Sequence, residues 1–236
     1  MPGSQVLEQK EIVGLIPARA GSKGIPNKNV VDICGQPLIQ WTIDAAQASD
    51  YVDRILVSTD DQVVKELAAR QGLPVLDRPH QLAGDSTMAA QVIAHALDST
   101  VTEDILVYLQ PTSPLRTATD IDQSLELLAS LNAGAVVSVT PVTEHPEWMY
   151  RMRSEGHLLE SVLGHPQTSR RQDLPPTVRL NGAVYCAYTS DLGPDGDFFR
   201  LALHGFEMPN IRSVDIDTLD DLEVARSLIM GKLHAP

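Results

Sequence analysis

Cysteine and aromatic residues are scarce in this chain. Of its 236 residues only Cys34 and Cys186 are cysteines, and 4% are aromatic. The two cysteines could form one disulfide, but they are far apart in sequence and neither has a histidine or cysteine at metal-ligand spacing. We therefore expect two buried free thiols in a protein of the reducing cytoplasm.

Positive charge is also scarce. Lysine and arginine total 18 against 31 aspartates and glutamates, which gives a formal net charge of -13. A protein that binds the nucleic-acid backbone needs a basic face, so this balance argues against nucleic acid as a partner. It does not argue against a small anionic substrate, because such a substrate needs only a local positive pocket.

Long apolar segments are absent as well. No apolar run is long enough to span a membrane, and residues 1–11 are polar, without the apolar core of a signal peptide. We expect a cytoplasmic protein without a membrane partner.

What the chain does have is a regular alternation of short apolar runs and amphipathic segments. This alternation is typical of a mostly parallel sheet that helices cover on both faces. The apolar runs predict strands at residues 12–16, 54–59, 73–76, 104–109, 135–139, 178–188 and 211–216. Helices are predicted at residues 37–48, 62–70, 88–97, 120–131 and 220–230. We therefore expect one α/β domain over residues 1–236, with three layers around the sheet.

Residues 142–174 break this alternation. They contain His-Pro pairs at His145 and His165 and several arginines, among them Arg151 and Arg171. We interpret this segment as an excursion from the sheet.

The basic residues are concentrated in one loop after the first predicted strand. Residues 15–29 read L-I-P-A-R-A-G-S-K-G-I-P-N-K-N, which places Arg19, Lys23 and Lys28 among two glycines and two prolines. Such a loop can present backbone N–H groups and cations together, as a polyphosphate requires. It matches neither the P-loop nor the G-x-G-x-x-G spacing, so an ATPase or a Rossmann dehydrogenase is disfavoured. The loop predicts a nucleoside triphosphate site, with a solvated surface turn as the alternative.

Asp215 and Asp217 form a second candidate site. Two residues apart on a strand, their carboxylates would point to the same face. At a strand end they could share one Mg²⁺, which prefers carboxylate and phosphate oxygens. The alternative is that Asp217 or Thr218 caps the helix that follows.

Polar residues also mark two other predicted strands. Gln110 ends one of them, with Arg116 beyond a turn that contains two prolines, and Arg179 and Asn181 alternate onto one face of another, next to Gly182. Arginine can bind a carboxylate with two hydrogen bonds, and asparagine can bond to sugar hydroxyls. Ligands of open α/β sheets bind beyond the carboxyl ends of the strands, where we expect these groups.

These segments occur in an order that is typical of one family. The basic loop is followed by L-Q-P-T-S-P-L-R at 109–116, R-R-Q-D-L-P at 170–175, R-L-N-G-A-V-Y at 179–185 and D-I-D-T at 215–218. Together they resemble the acylneuraminate cytidylyltransferase family, the CMP-sialic acid synthetases, over nearly the whole chain. The resemblance implies a Rossmann-like nucleotidyltransferase fold, dependence on Mg²⁺, and a homodimer in which residues 142–174 reach the partner subunit.

The resemblance also implies a role for each matching residue. Nucleotide contacts would come from Arg19, Ala20, Gly21, Ser22, Lys23, Lys28, Asn29, Arg78, Asp85 and Ser86. Contacts to the sugar acid would come from Gln110, Arg171, Arg179 and Asn181. Mg²⁺ would be held by Asp215 and Asp217, which together with Arg19 and Lys28 would carry the catalysis.

The implied reaction is Mg²⁺-dependent transfer of CMP from CTP to the anomeric hydroxyl of a nine-carbon nonulosonic acid, with release of pyrophosphate. Such chemistry depends on positioning and charge neutralisation. No histidine lies in a matching motif, so we assign no general base. Three alternatives stay open: a guanylyltransferase acting on legionaminic acid, a Kdo-type cytidylyltransferase, and a silent nucleotide-binding protein.

Overall fold

The structure is a computed structural model that describes residues 2–22, 24–153, 157–164 and 170–233. The strands are β1 (Ile12–Pro17), β2 (Asp32–Ile33), β3 (Gln36–Pro37), β4 (Arg54–Thr59), β5 (Val75–Asp77), β6 (Ile105–Tyr108), β7 (Ala135–Pro141), β8 (Tyr150–Met152), β9 (Leu159–Ser161), β10 (Val178–Tyr188) and β11 (Leu203–Glu207). The α-helices are α1 (Pro2–Leu7), α2 (Leu38–Gln47), α3 (Gln62–Arg70), α4 (Ala89–Ser99), α5 (Ala118–Leu131), α6 (Thr189–Leu192) and α7 (Leu219–Leu233).

A seven-stranded sheet forms the centre of the fold, in the order β11-β7-β10-β6-β1-β4-β5. Its pairs are parallel except those that β10 makes with β6 and β7, which are antiparallel. The predicted mostly parallel sheet is therefore confirmed. Because β10 runs antiparallel to its neighbours, it starts at the edge of the sheet where the other strands end. The alternation of helices and parallel strands that the sequence predicted therefore does not continue at β10.

Helices cover both faces of the sheet, as the apolar runs predicted. On β1, Ile12 and Ile16 belong to a core with α2, α3 and α5, whereas Val13 and Leu15 belong to a second core with α4. This alternation follows the period of two residues along a strand. All four side chains are fully buried, which explains why the strand reads as a continuous apolar run.

The predicted strand at residues 211–216 is wrong. Asn210–Arg212 forms a 3₁₀ turn, and the segment after it runs without a strand partner. The Ile216 amide instead donates to the carbonyl of Thr112 in the loop after β6 (2.9 Å). The last strand is β11, an edge strand parallel to β7 with alternating exposure, which the sequence analysis missed.

The described part of residues 142–174 lies outside the seven-stranded sheet. Strands β8 and β9 pair only with each other, antiparallel, with Met152 opposite Leu159. Both of these side chains are exposed. Residues 154–156 and 165–169 of the segment fall outside the described residues. Its assignment to dimerisation stays a prediction.

Both cysteines are free thiols, as predicted, but the predicted burial holds only for Cys186. Cys186 lies in the core, where burial raises the pKa of its thiol, whereas Cys34 is only half-buried. In the part of the chain that the structure describes, no helix has the length and apolarity that crossing a membrane requires.

Candidate active site

A cavity of about 190 Å³ opens at the carboxyl edge of the sheet, between the loop after β1 and the start of α4. Its polar wall brings together five predicted nucleotide contacts: Arg19, Ser22, Lys28, Asn29 and Arg78. Gln110 and Thr112, which follow β6, also line it. The basic loop and the Gln110 turn, far apart in sequence, therefore form one site.

The loop after β1 is held in shape by hydrogen bonds to its backbone. The Ala20 amide donates to the carboxylate of Asp60 (2.8 Å). Asn29, which is 7% exposed, donates its side-chain amide to the carbonyl of Arg19 (3.0 Å). Asn29 thus lines the cavity while it fixes the loop that carries Arg19.

Arg19 joins the loop to the segment before α4. One guanidinium nitrogen donates to Asp85 (2.6 Å), and another donates to the carbonyls of Ala20 and Gly21 (3.2 and 3.1 Å). A second concavity of about 300 Å³ is lined by these four residues and others, and Ser86 is exposed next to Asp85. A polyphosphate bound at Arg19 would share the guanidinium group with the carboxylate of Asp85.

Arg78 is a buried cation in the cavity wall. It is 7% exposed and donates to the carbonyl (2.8 Å) and the hydroxyl (3.2 Å) of Ser58. Burial lowers the pKa of Arg78. Its position is set by the end of β4, so its charge faces the cavity from a fixed place.

Lys28 connects the basic loop to the predicted metal-binding segment. Its ammonium, whose side chain is 14% exposed, donates to the carbonyl of Ile216 (2.9 Å) and to the carboxylate of Asp217 (3.0 Å). Gly24 packs against the same segment, because a Cβ there would lie 2.3 Å from the carbonyl oxygen of Asp217. The loop therefore needs glycine at position 24 to approach Asp217 this closely.

Asp215 and Asp217 do not share a strand face, because their segment is not a strand. Asp217 is exposed and paired with Lys28, whereas Asp215 is half-buried. The Oδ1 of Asp215 is buried and has no hydrogen-bond partner among the described residues. Burial, and then the charge of Asp217, raise the pKa of Asp215, although a hydrogen bond with Thr112 opposes this. The capping alternative applies to Thr218, whose side chain and amide exchange hydrogen bonds with Asp221 at the start of α7.

This donor set fits a hard cation. An orphaned, buried carboxylate oxygen beside a second carboxylate is the kind of site that Mg²⁺ takes when phosphate oxygens complete its coordination. Within the described residues, no group of three or more acidic, histidine or cysteine side chains is placed to hold a metal ion. The two carboxylates alone would therefore leave most positions to the substrate and water.

Asn181 lies in an irregular stretch near the start of β10, where the register with β7 shifts. Its side chain is 1% exposed, accepts from Ser138 and from the Ala183 amide (3.2 Å), and donates to Ser213 (2.9 Å). The Ser138 hydroxyl also accepts from the Val184 amide (2.8 Å). The geometry thus gives Asn181 a role in shaping the bulge, and its predicted contact with the sugar acid lacks a free polar atom.

The side chains of Gln110 and Asp215 both lie close to Gly182. Gly182 has φ +76°, and a Cβ there would lie 2.9 Å from Gln110 Oε1 and 3.5 Å from Asp215 Oδ2. Arg179 is exposed on the same strand, with its guanidinium on the carbonyls of Leu180 and Ser213 (both 3.3 Å). The Gln110 carboxamide and the Asp215 carboxylate therefore both lie next to Gly182 of β10.

A more apolar cavity of about 370 Å³ adjoins the first one. The two share Ala89, Tyr108 and Gln110 as wall residues. Two of its wall residues, Tyr108 and Tyr185, pack edge to face with ring centroids 6.4 Å apart. The rest of its wall includes Met88, Ile93, Tyr185, Phe198 and Phe199.

A polyphosphate-type loop, a pair of carboxylates and an apolar cavity thus meet at the carboxyl edge of a mostly parallel sheet. The sequence model of the Cytidylyltransferase family matches residues 13–181, which include the basic loop, Gln110 and the start of β10. The chain belongs to the cytidylyltransferase family.

Named proteins of related sequence agree with this family. This chain is 34% identical over 209 residues to the N-acylneuraminate cytidylyltransferase of Streptococcus agalactiae serotype V, covering 88% of this chain and 50% of that protein. It is 32% identical to the CMP-N,N'-diacetyllegionaminic acid synthase of Legionella pneumophila, covering 92% and 96%. It therefore spans half the length of the streptococcal relative and nearly all of the legionellal one.

A solved structure shows the same fold. The CMP:2-keto-3-deoxy-manno-octonic acid synthetase, solved in complex with CTP, superposes with a TM-score of 0.72 at 20% identity, covering 94% of this chain and 99% of that one. At this identity the comparison shows the fold of this chain and not its substrate.

Two predicted site residues are not placed. Lys23 lies outside the described residues, as does the side chain of Arg171. Conversely, the sequence analysis gave no role to Tyr108, Phe198 or Phe199. The available signal was composition: in a chain with three phenylalanines, an adjacent pair is unusual.

Proposed function

We propose that this protein transfers a cytidylyl group from CTP to the anomeric hydroxyl of an N-acylated nonulosonic acid. The anomeric oxygen forms a bond to the α-phosphorus, the bond from that phosphorus to the bridging oxygen of the β-phosphate breaks, and pyrophosphate leaves. The hydroxyl proton passes to solvent, since no protein base is assigned. The products are a CMP-sugar and pyrophosphate.

The observation that carries this proposal is the pair of adjoining cavities. One is lined by cations and backbone of the basic loop, and the other by aromatic and aliphatic side chains. Gln110 and Tyr108 line both. A transferase that joins a nucleotide to a second substrate needs such a boundary, because the reacting atoms must meet there.

In the nucleotide half, Arg19 and Lys28 neutralise the charge that develops on the leaving pyrophosphate. Lys28 must then move its ammonium from Asp217 toward the phosphates. That movement would free the carboxylate of Asp217, so that Asp217 and Asp215 together could hold Mg²⁺. The ion, when bound, neutralises phosphate charge and makes the α-phosphorus more electrophilic.

In the sugar half, the Gln110 carboxamide and the Arg179 guanidinium supply polar contacts for hydroxyls and the carboxylate of the acid. Tyr185 and the Phe198-Phe199 pair supply an apolar surface on which an N-acyl methyl can pack. The names of the streptococcal and legionellal relatives both specify N-acylated acids of this class. This combination favours an N-acylated acid over one that bears only hydroxyls.

The assembly and location are part of the same proposal. We expect a cytoplasmic homodimer in which residues 142–174 contact the partner subunit. The exposed apolar residues of the β8–β9 hairpin support such a contact.

The proposal is tested by pyrophosphate release with CTP or GTP and Mg²⁺ against a panel of acids: N-acetylneuraminic, legionaminic, pseudaminic and Kdo. We expect CTP with an N-acylated nine-carbon acid to be the best pair. Lys28→Met should lower turnover about 100- to 1,000-fold. The matched control is Lys10→Met, because Lys10 pairs with Asp104 at the far edge of the sheet (3.0 Å) and should leave turnover unchanged.

The same panel separates the alternatives. Preference for GTP would replace the cytidylyl assignment with a guanylyl one, and preference for Kdo would replace the nine-carbon acid. CTP binding without pyrophosphate release for any acid would leave a silent nucleotide-binding protein.

A further inference from the structure

Arg116 is a buried cation that the reaction described above does not use. It is 3% exposed, and its Nε is buried without a hydrogen-bond partner in the part of the chain that the structure describes. Within the described residues it forms no ion pair. The acidic side chain that acts on its charge, Asp120, is bound instead by two of the three guanidinium nitrogens of Arg212, Nη2 (2.8 Å) and Nε (3.0 Å). Burial lowers the pKa of Arg116 to about 9, so it stays protonated near neutral pH.

The Arg116 guanidinium binds neutral oxygens from three different elements. One nitrogen donates to the carbonyls of Ala183 (2.7 Å) and Gln110 (3.2 Å), and another donates to the hydroxyl of Thr42 (2.6 Å). Thr42, on α2, in turn donates to the carbonyl of Gln110 (3.4 Å). Arg116 therefore ties the end of β6 to the bulge of β10 and to a helix under the sheet.

The carbonyls of Gln110 and Ala183 are part of the backbone next to the contact between Gln110 and Gly182. Gln110 carries the carboxamide that lines both cavities, and Ala183 directly follows Gly182. The Gln110 carboxamide oxygen lies 2.9 Å from where a Cβ of Gly182 would stand, so a small shift of either backbone would change its place. Arg116 holds both backbones at once.

We propose that Arg116 is a positioning residue that sets the Gln110 carboxamide against the β10 bulge and so determines how the sugar acid is bound. This inference rests on the proposed function, since it concerns the sugar half of that site. Burying a guanidinium without an acidic partner is costly, and packing alone would be served by an apolar side chain. Only the planar fork of arginine reaches these acceptors together, because the ammonium of lysine is a compact point charge.

The test is the kinetics of Arg116→Lys with both substrates varied. We expect kcat/KM for the sugar acid to fall roughly 10- to 100-fold, from the loss of buried hydrogen bonds. The KM for CTP should stay within about twofold of wild type, since the basic loop is not held by Arg116. The control is Arg54→Lys, because Arg54 pairs with Glu103 at the opposite edge of the sheet. This variant should lose stability, but the KM of each substrate should stay unchanged.

A double-substitution cycle tests the route through Gln110. If Arg116 acts through this side chain, Gln110→Ala with Arg116→Lys should cost little more than Gln110→Ala alone. Additive effects, or equal losses for CTP and sugar, would overturn the inference. So would an Arg116→Lys variant that behaves like Arg54→Lys.

If Arg116→Lys does not fold, Thr42→Val carries the same test. It removes the hydroxyl between Arg116 and Gln110 and should lower kcat/KM for the sugar acid selectively; an unselective effect would overturn the inference. Absence of pyrophosphate release by the wild type with every acid would overturn the proposed function, and this inference with it. Activity in the wild type with no selective effect in the variants would overturn this inference alone.

Discussion

At the scale of single residues, Asp215 shows a conflict between stability and the proposed chemistry. One of its carboxylate oxygens is buried with no partner among residues 2–22, 24–153, 157–164 and 170–233, and burial raises the pKa of this carboxyl group. A raised pKa means that the ionised carboxylate destabilises the fold above that pKa, and that the penalty is relieved as the pH falls through it. A protein retains such a group where a bound cation can satisfy it.

Asp215→Asn should therefore separate the two effects. In EDTA at neutral pH we expect a higher melting temperature, by about 2–4 °C for each kcal/mol relieved, and the gain should shrink as the pH is lowered toward 4. Turnover with Mg²⁺ should fall about 100-fold or more. Asp217→Asn is the matched control, since Asp217 is exposed: it should lower turnover without raising the melting temperature. A destabilised Asp215→Asn protein would contradict this reading.

The basic loop was predictable from sequence, and the structure places its residues Arg19 and Lys28 in the wall of one cavity. The strand predicted for Asp215 and Asp217 was wrong, although Asp217 does lie beside the loop through its contact with Lys28. The hydrogen bonds that occupy Asn181 were not predictable, because they depend on a register shift in β10. Tyr108 was not predictable either, since the same residue type serves equally well inside an ordinary core.

At the scale of elements, the bulge near the start of β10 shapes the site. It turns Gly182 to φ +76° and lets the Gln110 carboxamide approach the strand. Bulges are common next to active sites because they redirect a side chain or open room for one.

Gly182→Ala tests this element against a matched control. Gly72 also has a positive φ, +69°, but a Cβ there would meet nothing within 4 Å. Both alanine variants should lose about 1–2 kcal/mol of stability from the left-handed backbone. Only Gly182→Ala should raise the KM for the sugar acid, because its methyl would displace Gln110. Equal kinetics of the two variants would show that the bulge does not position this side chain.

Whether a strand was predicted correctly depended on how deeply it is buried. Strands β1 and β4 are buried on both faces, so their sequences are uninterrupted apolar runs, and their positions were correctly predicted. Strand β11 lies at an edge with one face in solvent, and its sequence L-H-G-F-E carries too little apolar periodicity to be distinguished from a loop. The direction of β10 depends on which neighbours it pairs with, and local sequence does not specify that.

At the scale of the whole molecule, the β8–β9 hairpin exposes apolar side chains to solvent. Met152 is 69% exposed and its cross-strand partner Leu159 is 56% exposed. Exposed apolar pairs of this kind commonly mark a protein interface.

The variant Met152→Glu/Leu159→Glu should convert the proposed dimer to a monomer. Light scattering after size exclusion measures this directly, and circular dichroism should show an unchanged fold. Val63→Glu on α3, at a position 52% exposed, is the control and should remain dimeric. A monomeric wild type, or an unaffected double variant, would contradict the assignment of the hairpin to dimerisation.

The most direct test of the central claim is the identity of the product. CTP, Mg²⁺ and an N-acylated nonulosonic acid are incubated with the protein and followed by phosphorus NMR. We predict one new phosphodiester signal, from CMP joined to the anomeric oxygen, that appears in equal amount with pyrophosphate. Pyrophosphate without that phosphodiester, or no new phosphorus signal with any acid of the panel, would contradict it.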